Sequence, residues 1–96
     1  MIRHIVLFEL KDKSAENLMK TAEILKSMEG KVPQLRSISV GCDFLHSERS
    51  YDIGLIVDVD DRAALAAYQN DPYHCSVVKT HMHAVRSASV SLDYEY

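Results

Sequence analysis

Apolar and polar positions alternate from the first residues. Ile2, His4, Val6, Phe8 and Leu10 fall on one side of an extended Ile2–Leu10, and Ile5 and Leu7 fall on the other. This predicts a first strand with apolar side chains on both faces, ended by Lys11-Asp12-Lys13. Ser14 then suits a helix N-cap, because its hydroxyl can accept from a first-turn amide. Ala15, Leu18, Met19, Ala22, Leu25 and Met28 recur at spacings of three and four, one apolar stripe of a helix. Gly30 supplies a left-handed stop and Pro33 prevents the helix from resuming.

A second strand is predicted over 35–44, with Ile38, Val40, Cys42 and Phe44 alternating with Ser37, Ser39, Gly41 and Asp43. A polar turn over 46–50 leads to a third strand over 51–59, with Tyr51, Ile53, Leu55, Val57 and Val59 on one side and Ile56 opposing them. Asp60 or Asp61 caps a short helix over 62–70. Asp71-Pro72 breaks it and opens another, since Asp at N-cap and Pro at N1 is a favoured start. His74, Val77, Val78, His81, Met82 and Val85 share a face of that helix. A last strand over 86–94 alternates Ala88, Val90, Leu92 and Tyr94 with Ser87, Ser89, Ser91 and Asp93.

The order is β-α-β-β-α-β, which predicts one α+β domain over residues 1–96: a ferredoxin-like four-stranded antiparallel sheet with helices on one face. The uncovered face has an apolar centre, and such a surface marks an interaction site. A twofold partner needs only one self-complementary patch, so a homodimer is expected.

Charge narrows the partners. Across 96 residues the net charge is −3, with no run of Lys or Arg, which argues against nucleic acid and anionic membrane surfaces. The longest apolar stretches, 5–8 and 63–67, are too short to span a bilayer. No apolar leader precedes the first strand, so no signal peptide is expected. Cys42 and Cys75 are isolated from each other, which predicts reduced thiols and a cytoplasmic setting.

Four segments together resemble the stress-responsive A/B barrel (Dabb, dimeric α/β-barrel) domain family. They are His4-Ile5-Val6-Leu7-Phe8-Glu9-Leu10-Lys11, Tyr51-Asp52-Ile53-Gly54-Leu55-Ile56-Val57-Asp58, Asp61-Arg62-Ala63-Ala64-Leu65-Ala66-Ala67-Tyr68 and Asp71-Pro72-Tyr73-His74. The resemblance implies a ferredoxin-like protomer whose sheet pairs with its twin's to form a barrel around a central cavity. It also implies His74, on the Pro-x-His step, and Tyr68 as a catalytic pair, because they stand where the family's plant polyketide cyclase carries its reacting histidine and tyrosine. An imidazole can take a proton α to a carbonyl while a phenol donates to the developing enolate oxygen, which needs neither metal nor cofactor. The chain departs from that cyclase at Ile53 and Asp71, where the cyclase carries histidines.

His4, Tyr51 and Tyr73 are further candidates for lining a ligand pocket. No metal site is expected, because His81 and His83 are two apart and point to different sides of a helix. Asp58, Asp60 and Asp61 read as helix-capping charges rather than a cation site. The expected function is a homodimer with a cavity for a small hydrophobic or carbonyl ligand. The alternatives are a cofactor-independent cyclase- or isomerase-like enzyme using His74 and Tyr68, and a structural assembly module.

Overall fold

The computed structural model describes residues 1–96. Its elements are β1 (Ile2–Leu10), α1 (Ala15–Lys26), β2 (Ser37–Cys42), β3 (Ile53–Val59), α2 (Arg62–Gln69), a π-helical segment (His74–Lys79) that continues into α3 (Thr80–Val85), and β4 (Arg86–Glu95). The strands lie in the order β2-β3-β1-β4 and every neighbouring pair is antiparallel. This is the expected ferredoxin-like sheet.

The helices cover one face. Phe8 and Leu10 of β1 and Ile53, Leu55 and Val57 of β3 are buried in a single cluster with Leu25, Met28, Tyr68, Val78 and Met82 from the helical layer. The predicted caps are in place: Ser14 Oγ accepts from the amide of Asn17 at 3.3 Å, and Asp61 Oδ1 from that of Ala64 at 2.8 Å. Buried Asp71 accepts from the amides of Tyr73 and His74 at 2.9 and 3.1 Å, which fixes where the last helical run begins.

Several boundaries differ from the sequence pattern, each for a local reason. Helix α1 stops at Lys26 rather than at Met28, because the Ser27 hydroxyl bonds back to the carbonyl of Ile24 and tight turns follow to Lys31. Gly30 supplies the left-handed residue of those turns, at φ 79°. Strand β2 ends at Cys42: the Asp43 carboxylate accepts from the amide of His46 at 2.7 Å, starting the turn and leaving Phe44 88% exposed instead of facing the core. Tyr51 lies outside β3, whose edge is held by the Asp52 carboxylate accepting from the amide of Leu10 at 2.8 Å. The run after Pro72 is π-wound over its first part, where the heptad-like spacing suggested an α-helix throughout.

The pairing of β4 with β1 divides the side chains of β4 between the two faces. Leu92 sits opposite Ile5 and Val90 opposite Leu7, so these four, with Ile56 on β3, form the centre of the open face. Leu7, Ile56, Val90 and Leu92 are all exposed. Asp93 sits opposite His4 and Ser89 opposite Phe8, which puts the polar half of β4 on the helix side. At one end of the open face, buried Asp58 accepts from Arg3 Nε at 2.9 Å, Arg3 Nη2 at 3.1 Å and Ser37 Oγ at 2.7 Å. Asp60 pairs with Arg36, so of the acidic triplet only Asp61 caps the helix, while Asp58 and Asp60 are taken up by the arginines that the strand pairing brings beside them.

The Arg3 guanidinium, with help from Ser37 and against the opposing effect of burial, holds the Asp58 carboxyl down to about 2. A folded value below the ordinary carboxylate range means that Asp58 stabilises the fold in full above about pH 4 and loses that contribution as pH falls towards about 2. Asp58→Asn is expected to lower stability at neutral pH by about 1–2 kcal/mol, a figure reduced because the Arg3 side chain is partly in water. In urea unfolding across the acid range, the gap between wild type and variant should close as Asp58 protonates. A gap of constant size down to the acid limit would contradict the assignment.

Candidate functional site

Because α2 and the last helical run cover β1 and β3 but the polar half of β4 remains exposed, a cavity of about 300 Å³ opens between the helices and the sheet. Its floor is Val6 and Phe8 of β1 and Leu55 of β3. Tyr68, His74, Val78, Met82 and His83 close it from the helical side, and Arg86 and Ser89 of β4 form one flank. The resemblance directs attention to a cavity between two paired sheets. The one that gathers the candidate residues lies inside the protomer, on the opposite side of the sheet from the open face.

His4, Tyr68 and His74 come together here. The Tyr68 and His74 rings stack with centroids 4.3 Å apart and planes 20° from parallel, and His4 meets Tyr68 edge-on at 5.8 Å. The Asp71-Pro72 turn makes this geometry. It reverses the chain after α2, so residues six apart in sequence face each other.

The hydrogen bonds define the tautomers. His74 Nδ1 lies 3.0 Å from the carbonyl oxygen of Tyr68, which can only accept, so Nδ1 carries the proton in the neutral ring. His4 Nδ1 contacts the Asp93 carboxylate in the same sense. Neither Nε2 has a partner within the chain, and the only fully buried side-chain polar atom left unpaired is Gln34 Oε1. The two Nε2 lone pairs are therefore open to the cavity. Burial is the main reason that His74 titrates below the ordinary histidine value; nearby Lys79 and His4 lower it further, and the hydrogen bond to Tyr68 and the charge of Asp71 oppose the shift. His74 is thus a neutral acceptor near pH 7.

The Tyr68 hydroxyl lies away from the position that a proton donor to a ligand would occupy. Its phenol points into the core towards Met28 Sδ at 3.9 Å, and burial pushes it well above the usual tyrosine range. It orients His74 by stacking and through its backbone carbonyl, while its hydroxyl is not presented to a ligand. Tyr73 bonds Ser27 Oγ at 2.6 Å between α1 and the π-helical segment, and Tyr51 lines a separate cleft beside Phe44, so neither belongs to this cavity. His81 bonds Thr21 Oγ1 at 2.9 Å, whereas His83 lines the cavity, so the two histidines serve different surroundings.

Lys79, His83, Arg86, Ser89 and Asp93 are site residues that the periodicity did not single out. The signal for the β4 residues lay in the alternation of the last strand, whose serine and aspartate half needed the β1 pairing before it could be placed on a face. Lys79 needed the π winding.

Comparison with known proteins bears out the fold. A dimeric ferredoxin-like protein from Thermobifida fusca is 23% identical over 99% of this chain and 90% of its own, with a TM-score of 0.85. A dimeric protein of the same fold from Bacteroides fragilis is 23% identical over 99% and 95%, with a TM-score of 0.82. A hydroxynitrile lyase from Passiflora edulis is 16% identical over 97% and 90%, with a TM-score of 0.80. No curated protein matches the chain. No helix is long and apolar enough to cross a membrane. The profile of the stress responsive A/B barrel domain matches residues 2–96, from the first strand to the last residue, and the chain belongs to that family.

Proposed function

We propose that this protein is a homodimer that binds a small, partly apolar molecule in the cavity beneath Tyr68 and His74. The observation that carries the reading is the neutral His74, whose Nε2 lone pair meets a chamber walled by Val6, Phe8, Leu55, Val78 and Met82. An acceptor left without a partner beside apolar side chains calls for a ligand that brings a hydroxyl, an enol or an acidic C–H. The dimer is supported by the open face, where Leu7, Ile56, Val90 and Leu92 stand exposed around Ile5, and by the dimeric relatives. The unpaired Cys42 and Cys75 support a reducing, cytoplasmic setting.

A second reading, proton transfer without a cofactor, is favoured by the His4–Asp93 contact, which leaves a second imidazole able to take or return a proton beside His74. The Passiflora relative suggests a hydroxynitrile as a substrate to try. In that reaction an Nε2 takes the hydroxyl proton, the carbon–carbon bond to the nitrile breaks with its electron pair leaving as cyanide, and an aldehyde remains. Tyr68 positions His74 and does not act as the acid.

Three outcomes are expected. Sedimentation at micromolar protein should give twice the chain mass, and Leu92→Lys should give monomer, since it puts a charge into the apolar centre; a wild-type monomer would overturn the dimer. Amide shifts on titrating 3-phenylpropanol should map to the cavity and weaken at least ten-fold in His74→Ala with the dimer retained; the absence of cavity shifts in wild type would overturn the binding reading. For the enzymatic reading, release of aldehyde from an aromatic hydroxynitrile should exceed the buffer rate and fall at least 100-fold in His74→Ala, while a wild-type rate equal to buffer would leave binding alone.

A further inference from the structure

The charged side chains that line the cavity wall are all cationic; Asp93 bonds His4 and is not part of the lining. Lys79 and Arg86 line it, with His83 beside them, and no aspartate or glutamate is among the thirteen lining residues. This is a local reversal, because the chain as a whole carries a net charge of −3. Neither Lys79 nor Arg86 lies within ion-pair distance of a carboxylate, although Arg3, Lys13, Arg36 and Arg62 all do. Lys79 Nζ instead donates to the carbonyl of Gln69 at 2.8 Å, and Arg86 Nη1 to Ser89 Oγ at 3.0 Å. Both contacts are neutral, so each cation keeps its charge uncompensated and most of its donors free.

The backbone brings Lys79 to this place by an uncommon route. In an α-helix, five residues leave two side chains about 140° apart around the axis, which would turn Lys79 away from a cavity that holds His74. The segment His74–Lys79 is π-helical, and its wider i→i+5 winding turns residues five apart towards the same side. His74 and Lys79 therefore line the same cavity, with Val78 beside them. Arg86 and Ser89 reach it from β4 through the pairings Leu10–Arg86 and Phe8–Ser89. Helix winding and strand register thus place two cations at one chamber by independent means.

We propose that the ligand of this cavity is a carboxylate with an apolar body, its anionic group held by Lys79 and Arg86 and its body lying against Phe8, Leu55, Val78 and Met82. The inference rests on the binding reading above and adds the chemical class of the ligand. The division of polar groups gives the molecule a direction. A carboxylate only accepts, so it belongs at the Lys79 and Arg86 donors and not at the histidine Nε2 lone pairs. A hydroxyl or an acidic C–H nearer the middle of the ligand would meet His74. Hydroxy acids and keto acids combine the two.

The test uses three neutral or charged forms of one skeleton, 3-phenylpropionate, 3-phenylpropionamide and 3-phenylpropanol, titrated into the full-length protein and followed by amide shifts. The acid is expected to bind at least ten-fold more tightly than its amide. That preference should shrink between low and about 0.5 M salt, as an electrostatic term does. The double variant Lys79→Gln/Arg86→Gln should abolish the preference, the acid losing at least ten-fold more affinity than 3-phenylpropanol. The salt series on the wild type decides the matter even where the double variant does not fold. Equal binding of acid and amide, or a preference that salt does not reduce, overturns the carboxylate while leaving the binding reading intact through the alcohol. Failure of all three compounds to shift cavity residues overturns both.

Discussion

The register of β4 against β1 is the constraint on which the rest of the molecule depends. With Ile5 opposite Leu92 and His4 opposite Asp93, every second residue of the last strand is committed to one of two environments. The apolar half extends the open face and the polar half stands at the helix side, next to a cavity that the helices leave uncovered. Because the side-chain period of a strand is two, a slip of one residue would exchange the halves. It would place serines and Asp93 on the open face, and Val90 and Leu92 beside His4. One pairing thus supplies both the association surface and the electrostatics of the cavity.

The cavity itself is a product of competing local demands. Asp71 and Pro72 fix the start of the last helical run, and the π-wound segment that follows sets which side chains share its inner face. Stacking of Tyr68 on His74, together with the bond from Nδ1 to the Tyr68 carbonyl, restrains the ring from both its plane and its edge. Burial then keeps that ring neutral. The chain holds an acceptor ready in an apolar wall, and it does so with backbone geometry and packing rather than with a charged partner. At His4 the ring is held by Asp93, so the two imidazoles are restrained by different means.

Much of this architecture is legible in the residues. The alternation of Ile2–Leu10, the stripe from Leu18 to Met28, and the Asp71-Pro72 step lead to the observed elements, and the resemblance leads to His74, Tyr68 and His4. What the pattern misses has physical causes. Phe44 fits an alternating strand, yet Asp43 turns the chain before it can pair. Tyr68 lines the cavity, but a phenol's direction depends on the room around it, and Met28 offers that room in the core. Tyr51 and Tyr73 are plausible by type alone, and type does not say which side of an element they face. Lys79 is hidden by the assumption of α-helical winding, since a π segment carries no simple periodic signature.

The central claim is that the His74 imidazole is neutral, with the proton on Nδ1 and the Nε2 lone pair directed into the chamber. Long-range nitrogen–proton correlation spectra of the ¹⁵N-labelled protein at neutral pH read this directly. The account predicts that His74 shows a protonated Nδ1 and an unprotonated Nε2, and that it retains this pattern when the pH is lowered to the ordinary histidine midpoint. A proton on Nε2 of His74, or a doubly protonated His74 at neutral pH, would contradict it.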